Sequence, residues 1–501
     1  MSNVRVLQLG TEDWRKKYAF PAGVSVTYVP RLTGPLPKPF DIVFLDRSLA
    51  ENEYGILQRG VSAHTLFVTE KVPLEGWTKL LFDCKCGQIL PESGIQQFLT
   101  EELRFYFPNS YGEKFRHRNL SVAEHFAGSI RWEGDYALIL QGDFGDRLQQ
   151  AAYWRNNIPL FAHQRLDLWL EYQKDPEVSV TLEITEFLSG NLSTVMNHWE
   201  FSEEELEEVV HIEGGEKDGS IFVSLRARGS GTLRVIALHD RYSRGNHGYF
   251  VPGGERYVTS KREEIFAYFD PGDRKPPLNV FFSGYKTREG FEGKNMMQKM
   301  GCPFLLIAEA RLEGGCYYVG EEAYEKLLVS IIREHMEELG FSSEQVIMSG
   351  ISMGSCGALY YGCDIRPHAE IVGKPLVNLG NIAANERLLR PGGFPTSLDA
   401  LRYLAGEEGS RGVLDLNRKF WRKFDGADWN HTKFIVSYML EDDYDPEAYA
   451  TLLEHLQTGG VQVYGRGIHG RHNDNTSAIV QWYSYQYRKV LREDFDRKEL
   501  G

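Results

Sequence analysis

The sequence predicts a mixed α/β protein: a C-terminal α/β-hydrolase fold preceded by a β-sandwich and a small N-terminal α/β domain. Three observations carry this reading. Residues 346–361 read as a short apolar strand, the turn Gly350-Ile351-Ser352-Met353-Gly354 and the start of a buried helix. In that setting a G-x-S-x-G motif has mechanical meaning: the serine sits on a strained bend with its hydroxyl at the top of the sheet, and the flanking glycines let backbone pass close by. Later strands and loops then offer an acid and a histidine in the order Ser, acid, His. Upstream, residues 126–270 change to period-two alternation, while residues 1–125 alternate strands with helical stretches. The expected divisions are 1–125, 126–270 and 271–501, with an insertion at 374–428, and 501 residues suit about three domains at roughly 150 each.

Composition narrows the function classes. Hydrophobic residues make up 42% and charged residues 25%, as in ordinary globular protein. A net charge of −14 argues against non-specific attraction to nucleic acid or an anionic membrane. No window approaches 18 consecutive apolar residues, so no transmembrane segment is expected. The start, Met1 to Val6, runs directly into a strand without a signal-peptide pattern, which points to a cytoplasmic protein. The 6 cysteines lack metal-ligand spacing, and Cys84-Lys85-Cys86 is too close for a redox C-x-x-C. Reduced thiols and no metal are expected.

In the first division, residues 4–9, 24–28, 41–45 and 65–68 read as strands and 94–106 as helical. Residues 1–125 contain no G-x-G-x-x-G. Gly10-Thr11-Glu12-Asp13 is not a phosphate cradle, because two acids would repel phosphate. This part reads as structural or partner-binding. In the second, residues 136–140, 165–172, 178–184, 220–226 and 232–238 alternate as strands of an antiparallel sandwich, interrupted by an acidic stretch at 202–209. Residues 239–250 mix aromatic rings with Arg, Asn and His, a combination that suits sugar recognition, and an ordinary structural loop is the competing reading.

Residues 270–277, rich in Pro, Gly and charge, read as a linker. Residues 278–282 form an early hydrolase strand ending at Ser283-Gly284-Tyr285-Lys286, where this architecture supplies an oxyanion donor from the backbone. Tyr285 is the favoured amide there, Gly284 the alternative, and Met353 the other donor. Residues 304–308 and 369–373 are strands, and 321–339 is an amphipathic helix closed by Gly340. The insertion 374–428 occupies the usual place for a lid or acceptor-binding cap. Residues 432–440 form a strand that ends in the acidic loop Glu441-Asp442-Asp443-Tyr444-Asp445. A helix at 446–458, stopped by Gly459 and Gly460, leads to a strand at 461–464 and then to a loop carrying His469 and His472. A final helix spans 476–491, with Asn475 as its N-cap.

A serine hydroxyl is a poor nucleophile without a base to take its proton and an acid to orient that base. His472 is favoured over His469 because polar residues surround it, and Asp442 over Asp443 and Glu441. Each histidine could equally be a plain loop residue, and some of the four acids must be solvated. Ser352, Asp442 and His472 would perform acyl transfer. Water as acceptor makes an esterase; a sugar hydroxyl makes an O-acyltransferase. No tightly bound cofactor is expected, and the acyl donor stays open.

The run 349–354 with 358–361, the loop 438–445 and the run 470–476 resemble the second accessory secretory protein family of the Gram-positive accessory Sec system, and the three-part layout is similar over essentially the whole chain. The resemblance implies a cytoplasmic protein needed for export of a serine-rich-repeat glycoprotein adhesin. It also implies O-acetylation of N-acetylglucosamine on that adhesin, with the triad roles falling on Ser352, Asp442 and His472. Implied partners are the other accessory secretory proteins, the accessory Sec motor ATPase and the glycosylated adhesin. Two further function classes stand beside this: a non-catalytic export scaffold and a free-standing carbohydrate esterase.

Overall fold

A computed structural model describes residues 4–36, 39–108, 110–457 and 460–497. The first sheet has five parallel strands in the spatial order Val24–Val29, Val4–Leu9, Ile42–Leu45, Leu66–Thr69, Gln88–Leu90. Its three inner strands are buried at nearly every position because helical turns cover both faces. The stretch expected as one helix over 94–106 is instead a run of turns of changing pitch: Ile95–Gln97 α, Phe98–Glu102 π and Leu103–Phe105 3-10. Phe98 and Leu99 are buried, and Phe98 lies 4.6 Å from the Phe67 ring and 5.8 Å from Phe44. Seating those rings on the sheet fixes the pitch that propensity alone would have left regular.

Two six-stranded sheets form the sandwich. One is centred on Ser179–Leu188 and Gly219–Arg228, the other on Arg165–Lys174 and Ser230–Tyr242. Leu168, Leu170 and Val235 from one meet Leu182, Ile184 and Val223 from the other in a common core. The sandwich also takes in Gly112–Arg116 and Leu120–Val122 from upstream. It does not include Gly254–Val258 and Glu264–Asp270, which pair into the C-terminal sheet. The acidic stretch at 202–209 contains only a 3-10 turn, Glu205–Glu207.

The start of the segment 239–250 is strand rather than open loop. Residues 239–242 continue the strand Ser230–Tyr242, and His239 and Arg241 are buried at 1% and 2% exposure. Arg241 Nε donates to Glu289 Oε2 at 2.7 Å and its Nη1 to Glu264 Oε1 at 2.7 Å, while His239 lies between Glu171 and Glu289. His239 and Arg241 are thus committed to carboxylates from distant parts of the chain, and Arg244 donates to the Phe105 and Phe107 carbonyls, each at 2.9 Å.

The C-terminal sheet has eight strands. In chain order they are Gly254–Val258, Glu264–Asp270, Leu278–Phe282, Phe304–Glu309, Val346–Ile351, Ala369–Gly373, Lys433–Met439 and Gln462–Ile468. In space the fourth lies between the second and third; the second is antiparallel to its neighbours and the remainder run parallel. This is the α/β-hydrolase sheet. The segment 270–277 is a packed turn rather than a free linker: Pro271 and Gly272 are buried, and a Cβ on Gly272 would meet the Cys302 backbone. The insertion carries three helices, Leu379–Leu388, Thr396–Ala405 and Ser410–Asp425. The helix after the acidic loop is Ala448–Leu456; the expected stop at Gly459 lies outside the described residues. The last helix, Thr476–Phe495, starts after Asn475, whose side chain does not cap it but donates to the His469 carbonyl at 2.6 Å. Among the described residues no helix is long and apolar enough to cross a membrane.

Candidate active site

The site is built at the C-terminal edge of the eight-stranded sheet. Ser352 links the strand Val346–Ile351 to the helix Met353–Ile365 with φ 57° and ψ −125°, a conformation that L-residues adopt only under constraint. The constraint is visible on both sides. Ser352 N donates to the Gly373 carbonyl of the next strand at 2.8 Å. A Cβ on Gly350 would strike the Gly354 carbonyl, and one on Gly354 would strike the Phe282 carbonyl. The two glycines therefore permit the helix to start against the neighbouring strand end, which is the physical content of the motif.

Ser352 Oγ lies 2.8 Å from His472 Nε2, and His472 Nδ1 lies 2.8 Å from Asp442 Oδ2. His472 is 1% exposed. Asp442 Oδ1 accepts the amides of Tyr444 at 2.8 Å and Asp445 at 3.2 Å, so the carboxylate is held by its own loop. The other acids of that loop are taken up elsewhere. Glu441 pairs with His469 at 2.9 Å; Asp443 accepts the His472 amide at 3.0 Å and pairs with Arg390 at 3.0 Å. Asp445 is buried and accepts Val377 N at 2.9 Å and Asn378 N at 2.8 Å. His469 is exposed and points to Glu441, away from the serine's hydrogen bond.

Burial works to raise the Asp442 carboxyl, but His472 and the two loop amides outweigh it and hold the group below its ordinary value. A depressed folded value means the stabilisation is present above the range of a free Asp, about 3.9, and is lost as pH falls through the folded value. The stability gap between wild type and Asp442→Asn, read from urea midpoints, is therefore expected not to shrink between about pH 8 and about pH 5 and to close only below about pH 4. A gap that closes by about pH 6 would contradict the assignment of Asp442 as the buried partner.

The Met353 amide opens the helix after the serine, where the first amides have no intrahelical acceptor. Of the two amides considered after the strand Leu278–Phe282, Gly284 N donates to Glu292 Oε2 at 2.9 Å. The Tyr285 side chain is 37% exposed and meets Phe394 edge-on at 5.6 Å.

A model of the accessory Sec system GspB-transporter family matches residues 4–497. The chain belongs to that family. The accessory Sec system protein Asp-two of Streptococcus gordonii is 36% identical over 509 aligned positions, taking in 99% of this chain and 100% of that protein. Its counterpart from Staphylococcus aureus is 34% identical, over 98% of this chain and 97% of that protein. Among solved structures, a chain of the Glycosylation Associate Protein (Gap123) complex from Streptococcus agalactiae matches with a TM-score of 0.87 and 34% identity, covering 100% of both chains. The resemblance read from the motifs around Ser352, Asp442 and His472 thus extends over nearly the whole chain of this accessory Sec protein.

Sequence reasoning missed two neighbours of the triad. Lys374 follows Gly373 with φ 50° and is 4% exposed; its Nζ donates to Thr476 Oγ1 at 2.8 Å, and burial lowers its pKa. Tyr444 stacks on the His472 ring at 4.2 Å and 14°. The aromatic residue inside an acidic loop was a signal for the second; nothing in the sequence marked the first. Elsewhere in the accessory Sec protein, Glu183, His198 and Glu200 bring ligand atoms within 4.8 Å of one another, but Arg226 already pairs with both carboxylates and supplies the positive charge.

Proposed function

We propose that this accessory Sec protein is an O-acetyltransferase acting on N-acetylglucosamine of a serine-rich-repeat glycoprotein adhesin. It would work in the cytoplasm together with the other accessory secretory proteins and the motor ATPase. The observation that carries the reading is the continuous hydrogen-bonded line Ser352–His472–Asp442, with both links at 2.8 Å. Partnership with accessory proteins is supported by the full-length likeness to a chain of the Gap123 complex.

The chemistry follows from the geometry. Ser352 Oγ attacks the acyl carbonyl as His472 Nε2 takes its proton; Asp442 stabilises the imidazolium that forms. The carbonyl oxygen becomes an oxyanion facing the Met353 and Tyr285 amides, where a single donor is typically worth about 3–4 kcal/mol. Collapse expels the donor's leaving group, which receives the proton from His472, and an acyl-Ser352 ester remains. A sugar hydroxyl then attacks that ester with His472 again as base, and the second collapse returns the serine.

The deciding experiment is intact-mass analysis of adhesin glycans from cells with wild-type protein or Ser352→Ala. Loss of the acetyl-sized increments is the expected result. Identical masses would overturn the transferase and leave the export scaffold or an esterase, which an export assay and turnover of acetylated sugars by the isolated protein would then separate.

A further inference from the structure

The insertion reaches the general base. Arg390, just past the helix Leu379–Leu388, lays its guanidinium over the Tyr444 ring at 3.8 Å and pairs with Asp443 at 3.0 Å. Phe394 stacks on the same tyrosine at 5.0 Å and 6°, and the Tyr444 hydroxyl donates to the Gly393 carbonyl at 3.2 Å. The loop between them is itself fixed: the buried Glu386 carboxylate accepts the amides of Gly392 and Phe394, each at 2.6 Å. Tyr444 in turn stacks on His472, and Asp443 accepts the His472 amide at 3.0 Å. Phe394 also touches Tyr285, the residue whose amide completes the oxyanion pair.

We propose that Arg390 and Tyr444 are positioning residues for His472, and that the loop 390–394 thereby couples the placement of the base to that of Tyr285. The inference rests on the acyl-transfer reading above. The physical reasoning is direct. Asp442 and Ser352 hold only the two ring nitrogens, which leaves the imidazole free to tilt about the line joining them. A flat ring packed parallel to it removes that freedom. Arg390 suits the outer layer because a planar guanidinium can stack and pair with a carboxylate together, which a lysine ammonium cannot. The tyrosine face also favours the imidazolium that appears in each transition state.

The test uses the full-length protein labelled with ¹⁵N-histidine and two readouts. One is the far-downfield proton resonance of the His472–Asp442 hydrogen bond. The other is kcat and KM for p-nitrophenyl acetate. Tyr444→Leu is expected to lose the resonance and about a hundredfold in kcat, with KM within about twofold, since misplacement of a catalytic group by about 1 Å has that effect. Tyr444→Phe, which keeps the ring, should retain the resonance and stay within about threefold in kcat. Arg390→Gln should lower kcat about tenfold, and Arg390→Lys should recover only part of it. A wild-type resonance and kcat in Tyr444→Leu would overturn the proposal. So would Tyr444→Phe falling as far as Tyr444→Leu, because the hydroxyl contacts and not the stack would then be responsible. Resonance without turnover in the wild type would overturn the acyl-transfer reading alone; the resonances of the variants would still decide the clamp.

Discussion

On the proposed acyl-transfer reading, His472→Gln is expected to lower kcat for an activated ester by about 10⁴-fold or more while leaving KM within a few-fold. Removing the base of such a triad abolishes an interaction that operates only in the transition state. Asp442→Asn should fall by a similar factor: Nδ1 would face an amide instead of a carboxylate, so the wrong tautomer is favoured and the imidazolium loses its counter-charge. The control is specific to this chain. His469→Gln and Glu441→Gln break a pair that is exposed and separate from the serine, and both should stay within about twofold of wild type. Steady-state kinetics on the four variants with p-nitrophenyl acetate checks this. Equal losses in His469→Gln and His472→Gln would remove the basis for choosing between the two histidines.

Gly354→Ala is expected to destabilise the protein by about 3 kcal/mol, the upper part of the range for overpacked sites, and to abolish turnover. The methyl would meet the Phe282 carbonyl, which is backbone and cannot rotate aside, and relief requires pushing the helix Met353–Ile365 off the strand Leu278–Phe282. That displacement moves the Met353 amide and spreads the strand end that carries Tyr285, so stability and chemistry fall together. Gly55→Ala provides the contrast. Gly55 lies inside the helix Glu51–Gly60 with no atom within 4 Å of a Cβ, and the change should gain up to about 1 kcal/mol. Urea denaturation of both variants measures the pair of effects, and a Gly354→Ala protein as stable as wild type would show that the elbow can open without penalty.

The hydrogen-bonded line Ser352–His472–Asp442 was legible because each member is announced locally. The serine has its own five-residue motif, and the acid and base follow strands whose apolar runs mark their ends. Choosing among Glu441, Asp442 and Asp443 was a matter of which carboxylate faced which partner. The structure separates them by giving His469 to the first, His472 Nδ1 to the second and Arg390 to the third. The Gly284 amide is taken by Glu292, eight residues away and invisible to motif logic. Of the two readings of 239–250, the sugar-recognition one loses two of its residues for a different reason. Arg241 and His239 look like ligand-binding residues in any window of the sequence, and only residues 23 to 68 positions away, Glu264, Glu289 and Glu171, reveal that they are already claimed. Likewise the edges of the sandwich were blurred because strand 112–116 carries one apolar side chain, Phe115, and periodicity could not say which sheet would recruit strands 254–258 and 264–270.

The buried charges shared by Arg241, His239 and Glu289 bear on how this chain can be taken apart. Arg241 and His239 hang from a sandwich strand, whereas Glu289 follows the strand that leads to Tyr285. A fragment beginning near residue 271 would retain the whole triad and yet strip Glu289 of both cations. It would also lose the first two strands of the eight-stranded sheet, Gly254–Val258 and Glu264–Asp270. Removing one partner of a buried pair costs about 3–5 kcal/mol, a large share of what holds a domain folded. Excision of the hydrolase portion is therefore a chemical mutation as well as a truncation, and swapping sandwiches between relatives would require both sides of that ionic seam to be exchanged as a unit.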